Sequence, residues 1–312
     1  MTVRTDRDRA HETTRAPGDT RAKLLLVILC LIWGFTWPAM KVALNDIPPL
    51  SMRASTACLG ALTMLLFCVV RRRSLRVSGA KAWTHVVIAS LLNVVSFSLL
   101  SAFAQMEAAT ARVAFLSYTM PVWALLFAWA VLGEVPGRIQ SVAIGLCAAG
   151  LAILISPVAV SGVPLGLMLA IVSGISWAAG TVYLKWAHID GDPMGITSWQ
   201  LTIAFFIIAA SMFVFEGRLH LEAAHAEALI GVAFSGVVGN AIAYGIWFEV
   251  VRRLPAVTAS LGLLGSPVVG VFASVLILGE RPTTADFIGY ALIFAASACV
   301  VLAPRSALPA SG

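Results

Sequence analysis

Ser117-Tyr118-Thr119-Met120-Pro121, followed by Leu132-Gly133-Glu134, recurs downstream as Leu263-Leu264-Gly265-Ser266-Pro267, followed by Leu278-Gly279-Glu280. The proline and the Gly-Glu pair are each displaced by 146 residues (267 − 121 and 279 − 133). Nearer the start of each copy, Trp33 and Lys41 correspond to Trp177 and Lys185 at a displacement of 144 (177 − 33 and 185 − 41). Landmarks repeated at nearly one spacing point to a duplication, each copy taking about half of the 312 residues. The nature of the duplicated unit follows from its apolar runs of roughly 20 residues, the length a helix needs to cross hydrocarbon.

Those runs fall at 24–43, 50–70, 83–103, 112–132, 138–156, 165–186, 195–215, 228–249, 256–278 and 285–303. Short turn-forming separators divide them, such as Asp46-Ile47-Pro48-Pro49 and Asp190-Gly191-Asp192-Pro193. Hydrophobic residues make up 60% and charged ones 12% of the chain, with a mean hydropathy of +0.93. Soluble domains carry about a quarter charged residues, so the solvent implied here is lipid. No stretch alternates in the manner of a membrane β-strand. The expectation is an all-α membrane protein of ten transmembrane helices, with 24–156 as the first five-helix repeat and 165–303 as the second. An odd number of crossings per copy turns the second copy over, giving inverted repeats. Residues 1–22, polar, Arg-rich and carrying Pro17-Gly18, read as a disordered tail, and 304–312 as a second tail. The first apolar run is of full span length and lacks a small-residue cleavage site, unlike a signal peptide.

Placing the N-terminus inside puts 16 Lys and Arg at inner segments and 5 at outer ends, which sum to the 21 in the chain. The positive-inside bias then sets both termini in the cytoplasm of a multi-pass plasma-membrane protein. The net charge of +6 is spread along span flanks, with no aromatic-interleaved basic patch, so nucleic acid is not an expected partner. The five cysteines all lie in apolar runs without a CxxC pair, giving neither a disulfide framework nor a zinc site. No metal or cofactor is expected. His11-Glu12 has no second histidine at zinc-helix spacing, and no phosphate-binding Gly-rich loop precedes a Lys-Ser/Thr pair, so neither an enzyme nor an ATP-driven pump is indicated.

Ile32-Trp33-Gly34-Phe35-Thr36, Pro121 with Leu132-Gly133-Glu134, Trp199-Gln200-Leu201, Arg253-Leu254-Pro255-Ala256 and Pro267 with Leu278-Gly279-Glu280 occur here in a characteristic order. Over about residues 24–303 the chain resembles the EamA-type branch of the drug/metabolite transporter superfamily. The resemblance implies ten helices, cytoplasmic termini and, in bacteria, frequent export of amino acids and related metabolites. Ala111-Arg112-Val113 and Glu249-Val250-Val251 depart from the smaller or more neutral residues usual at those places.

The candidate path residues are polar and aromatic groups inside spans, since each must find a partner in hydrocarbon or face a wet cavity. They are Trp33, Trp37, Asn93, Ser96, Tyr118, Trp177, Gln200, Asn240 and Tyr244. Spacing by four suggests that Asn240 and Tyr244 share a face and that Trp33 and Trp37 stack. Amides and aromatic rings suit a zwitterion, through hydrogen bonds and cation–π contact; they equally suit helix–helix adhesion and interfacial anchoring. Lys41 and Lys185 are candidate charged lips at opposite mouths, or simply snorkel to headgroups. Glu249 is a candidate coupling carboxylate, or an interfacial partner of Arg252 or Arg253. Pro38, Pro121 and Pro267 should kink their spans and serve as hinges. Ser141/Gly145/Ala149 and Ser266/Gly270/Ser274 present small residues every fourth position, the pattern of close intramolecular packing or of a dimer seam. The expected function is export of a small metabolite such as an amino acid or related zwitterion, by a monomer or homodimer working through alternating access. Efflux of lipophilic drugs or cations is the alternative, and an intramembrane enzyme a distant one.

Overall fold

The computed structural model describes residues 20–156, 164–254 and 262–302. The described chain runs as α1 (Thr20–Asp46), α2 (Pro49–Val70), α3 (Ala80–Glu107), α4 (Thr110–Leu132), α5 (Arg138–Ile155), α6 (Leu165–Ala187), α7 (Pro193–Phe215), α8 (Ala226–Arg253), α9 (Gly265–Leu278) and α10 (Thr284–Leu302). Nine of these have the length and hydropathy to cross a membrane, and α9 is a shorter apolar helix. The start of the expected ninth span, at 256–261, and the tail at 304–312 lie outside the described residues. Thr20–Ala22, expected in the N-terminal tail, instead open α1. Several helices outrun the apolar core by a few residues, because backbone hydrogen bonding continues to the interface after the hydrophobic run has ended.

The strongest packing runs between the halves. Helix α1 lies along α8 and α9, and its repeat-mate α6 lies along α3 and α4. Each half thus lends its first helix to the other. Helices α2 and α7, and α5 and α10, complete the symmetry as pairs. Contacts also fix the two ends of the bundle. Asp46 meets His225, and Glu216 meets Leu50, at the end remote from Thr20 and Leu302, here called the far end. Arg73 meets Asp192, and Lys185 meets Glu134, at the near end.

Two spans are broken where the sequence suggests a kink. Residues Thr110–Ser117 and Met120–Leu132 are separate α-helical pieces of α4, parted by a turn at Tyr118–Thr119. A turn at Leu264, 146 residues later, precedes α9. Pro121 occupies the first turn of its piece, where its missing N–H is no loss, so it starts a helix rather than bending one. Pro267 likewise sits in the first turn of α9, whereas α1 passes through Pro38 unbroken.

The small-residue stripes part company. Ser266, Gly270 and Ser274 are buried, with Gly270 beside the Gly34 carbonyl and the Trp37 ring. Ser141, Gly145 and Ala149 are exposed, contrary to the packing expected of them. It is Gly150, one residue on, that meets α10: a methyl there would lie 3.0 Å from the Gly289 carbonyl oxygen.

Candidate transport site

In the third span of each half, the α-helix relaxes into a π-helical segment: Leu91–Ser96 in α3 and Phe234–Ile242 in α8. A wider turn shifts the hydrogen-bond register and releases carbonyls that hydrocarbon cannot satisfy. Both halves answer with the same device. Ser176 Oγ of α6 donates to the Leu92 carbonyl at 2.9 Å, and Trp33 Nε1 of α1 donates to the Gly239 carbonyl at 3.0 Å. The acceptors are 147 residues apart (239 − 92) and the donors 143 (176 − 33), so the contact repeats with the fold.

Each π segment also carries an asparagine, Asn93 or Asn240, turned toward a glycine of the opposite half. A methyl on Gly180 would lie 2.3 Å from Asn93 Oδ1, and one on Gly60 would lie 2.9 Å from Asn240 Nδ2. The absence of a side chain is what admits the amide. Asn93 Nδ2 approaches Gln200 Oε1 at 3.5 Å, the limit of a hydrogen bond, while its Oδ1 is buried without a partner. Gln200 is itself buried, and its carbonyl accepts from Ser90 Oγ at 2.7 Å.

Trp33 and Trp37 each centre an aromatic group. The Trp33 ring meets Tyr244 edge-on at 6.0 Å between centroids and Trp247 at 6.3 Å. Trp37 is buried and meets Phe97 of α3 and Tyr118 at the α4 break, both at 6.4 Å. The two tryptophans therefore do not stack: four residues leave them about 40° apart and a full turn displaced, enough to give each a different neighbour. Asn240 and Tyr244 diverge for a related reason, the π turn rotating the amide toward α2 while the ring meets α1. Tyr118 Oη hydrogen-bonds Ser266 Oγ at 2.7 Å, joining the α4 break to α9. Ser96 and Trp177 are half-buried on α3 and α6.

The ends are tied by charge. At the far end the Glu216 carboxylate accepts from the Leu50 and Ser51 amides, both at 2.8 Å, and Glu280 from those of Thr110 and Ala111 at 2.6 and 2.9 Å. Each caps a helix of the other half, where the N-terminal amides and helix dipole favour an anion. Arg112 of α4 grips Asp286 of α10 through both carboxylate oxygens, at 2.5 and 3.1 Å. Lys41 Nζ donates to the Gln105 carbonyl at 2.6 Å. His225 bonds Asp46, whose carboxylate holds the imidazole pKa above its ordinary value. At the near end Glu134, the repeat-mate of Glu280, pairs with Lys185, beside a crevice of about 370 Å³ between α4, α6 and α10. Glu249 bonds Arg252 and Arg253 of its own helix, in keeping with an interfacial role.

Sequence reasoning missed the capping role of Glu216 and Glu280 and the Arg112–Asp286 pair. All lie at span ends, where charge is ordinary. Arg53, which with Lys41, Arg112, Arg218 and Arg281 makes up the five basic residues expected at outer ends, is instead buried between α1, α2 and α3.

The EamA-like transporter family matches this chain twice, over residues 20–156 and 164–302. The Bacillus subtilis (strain 168) "Uncharacterized transporter YoaV" is 24% identical, over 88% of this chain and 94% of its own. The Escherichia coli (strain K12) "Probable amino-acid metabolite efflux pump" is 25% identical, over 86% of this chain and 91% of its own. A solved crystal structure superposes with a TM-score of 0.63 at 20% identity, covering 90% of this chain and 96% of that one, a likeness of fold.

Proposed function

This chain belongs to the EamA-like transporter family, and from that premise we propose that it exports a small metabolite, an amino acid or related zwitterion, by alternating access. The observation that carries the reading is the reciprocal pair of π segments. Each puts an amide and a released carbonyl where the two halves meet, and each is held by the first helix of the opposite half. A binding site shared in this way changes shape when the halves rock, which is what alternating access requires. The Trp33, Trp37, Tyr118 and Tyr244 rings offer faces to an ammonium group, while Asn93, Gln200 and Asn240 offer amides. The ties through Glu216, Glu280 and Arg112–Asp286 join the halves at the far end and act as the closed gate of this conformation. Cytoplasmic termini would make that gate the outer one.

The relative named as an amino-acid metabolite efflux pump supports the substrate class. The test is export from cells overproducing the chain, loaded with labelled amino acids, against cells producing none. Faster efflux of at least one amino acid is expected, with loss in Asn93→Ala and Asn240→Ala. Unchanged amino-acid efflux alongside new tolerance to lipophilic cations would replace this reading with drug efflux through the same aromatic groups.

A further inference from the structure

Arg53 lies one turn into α2 and is only 7% exposed. Its Nη2 donates to Ser101 Oγ at 2.9 Å, its Nη1 meets only the Met40 thioether sulfur at 2.8 Å, and its Nε has no partner. No ion pair to Arg53 occurs among the described residues, although the other buried or half-buried arginine of the far end, Arg112, has Asp286. One turn beyond Ser101 on α3 lies Gln105, fully buried, with neither its Nε2 nor its Oε1 hydrogen-bonded. Lys41, next to Met40, reaches the same place through the Gln105 carbonyl.

A buried cation without a carboxylate, beside a buried amide using neither of its polar ends, is costly in a resting protein. The cost is repaid when an anion arrives: the guanidinium fork matches a carboxylate, and an amide N–H adds a further donor. A thioether is a weak acceptor on a flexible, unbranched chain, so Met40 can yield its position to an oxygen. The cluster adjoins the aromatic group, since Trp37 is one helical turn from Lys41 and its neighbour Phe97 one turn from Ser101. We propose that Arg53 and Gln105, with Lys41 beside them, form a subsite for the carboxylate of the transported metabolite. The proposal rests on the exporter reading and narrows it to substrates bearing a carboxylate next to the group held by the rings.

The test uses the full chain in detergent, its melting temperature followed against sodium benzoate and against benzamide, which has the same shape without the charge. Benzoate should raise Tm saturably and benzamide should not. In Arg53→Gln the benzoate shift should vanish, and the ligand-free variant should melt above wild type because an unpaired buried charge is gone. Gln105→Leu, which removes no hydrogen bond of the side chain, should weaken benzoate at least about fivefold while preserving the fold, and it keeps the question answerable if Arg53→Gln fails to accumulate. Equal benzoate affinity in wild type and Gln105→Leu, or equal responses of wild type to benzoate and benzamide, overturns the subsite. Amino-acid export separates the two readings. Wild-type export rates in Arg53→Gln would sink the subsite and leave the exporter standing. A charge-dependent benzoate shift in a chain that exports no amino acid would sink the amino-acid assignment and leave the subsite standing.

Discussion

The indole N–H of Trp33 and the hydroxyl of Ser176 do the same work from different chemistries, each supplying a donor to a carbonyl that a π turn has released. Ser176→Ala removes a donor and little else, so its cost isolates the hydrogen bond, whereas Trp33→Phe loses the donor together with part of the indole packed on Tyr244 and Trp247. About 1 kcal/mol of stability should go in Ser176→Ala and more in Trp33→Phe, read as a lower Tm in detergent, together with slower export. An unchanged Tm in both variants would deny the carbonyls their importance. At the far end, His225 titrates above the ordinary histidine midpoint because the Asp46 carboxylate faces it. A raised folded-state pKa means that the contact is fully present below the ordinary histidine midpoint, while Asp46 is still ionised, and is lost as pH climbs through the raised one. NMR titration of His225 should show a midpoint above 6.5, the ordinary value, that falls in Asp46→Asn; a midpoint indifferent to that substitution would remove the pair. Residues of this kind were only partly legible in the sequence. Asn93, Asn240, Tyr118 and Trp33 stand out because a polar group in an apolar run needs a reason. Arg53 does not, since a basic residue three positions past a helix start looks like an interfacial anchor until the neighbouring helices are seen to cover it.

Among the elements, the spans are more legible in the sequence than their interiors. Apolar run length is set by hydrocarbon thickness, so it survives in the sequence whatever the tertiary packing does. The π segments left no common mark: Leu91–Ser96 contains neither Pro nor Gly, whereas Phe234–Ile242 carries Gly236 and Gly239, and a wider turn is selected by what packs against it. The breaks at Tyr118–Thr119 and Leu264 were half legible, as prolines whose effect was to begin a helix. Helix crossings rest on single glycines, and Gly180 is one that faces a candidate path residue. The added methyl of Gly180→Ala would meet Asn93 Oδ1 at 2.3 Å and Leu92 Cβ at 2.9 Å, an overpacking that costs on the order of 1–3 kcal/mol. Export should drop severely and Tm should fall. Adding Asn93→Ala should recover part of the lost Tm, the Leu92 contact remaining, but no export, because the amide is needed for transport. Recovery of both would make Asn93 a spacer only.

At the scale of the molecule, the duplication in the sequence and the exchange of first helices in the fold are one fact seen twice. Halves that merely sat side by side could be separated, whereas α1 packed on α8 and α9, and α6 packed on α3 and α4, make each half incomplete without the other. Glu280 caps the start of α4 at the far end, and its mate Glu134 pairs with Lys185 at the near end; residues 256 and 257, the repeat-mates of Thr110 and Ala111, lie outside the described residues. Spacing alone gives the inversion; it does not say which end is latched, because that depends on which of two packings the same contacts adopt. The inversion itself is open to direct measurement through Val135 and Arg281, repeat-mates 146 residues apart and both exposed. With the five native cysteines replaced by alanine, Val135→Cys and Arg281→Cys are treated separately, in intact cells, with a thiol reagent that cannot cross the membrane. Two inverted halves with cytoplasmic termini require modification at position 281 and protection at 135 until the cells are opened. Modification of both from outside, or of neither until lysis, would contradict the inversion.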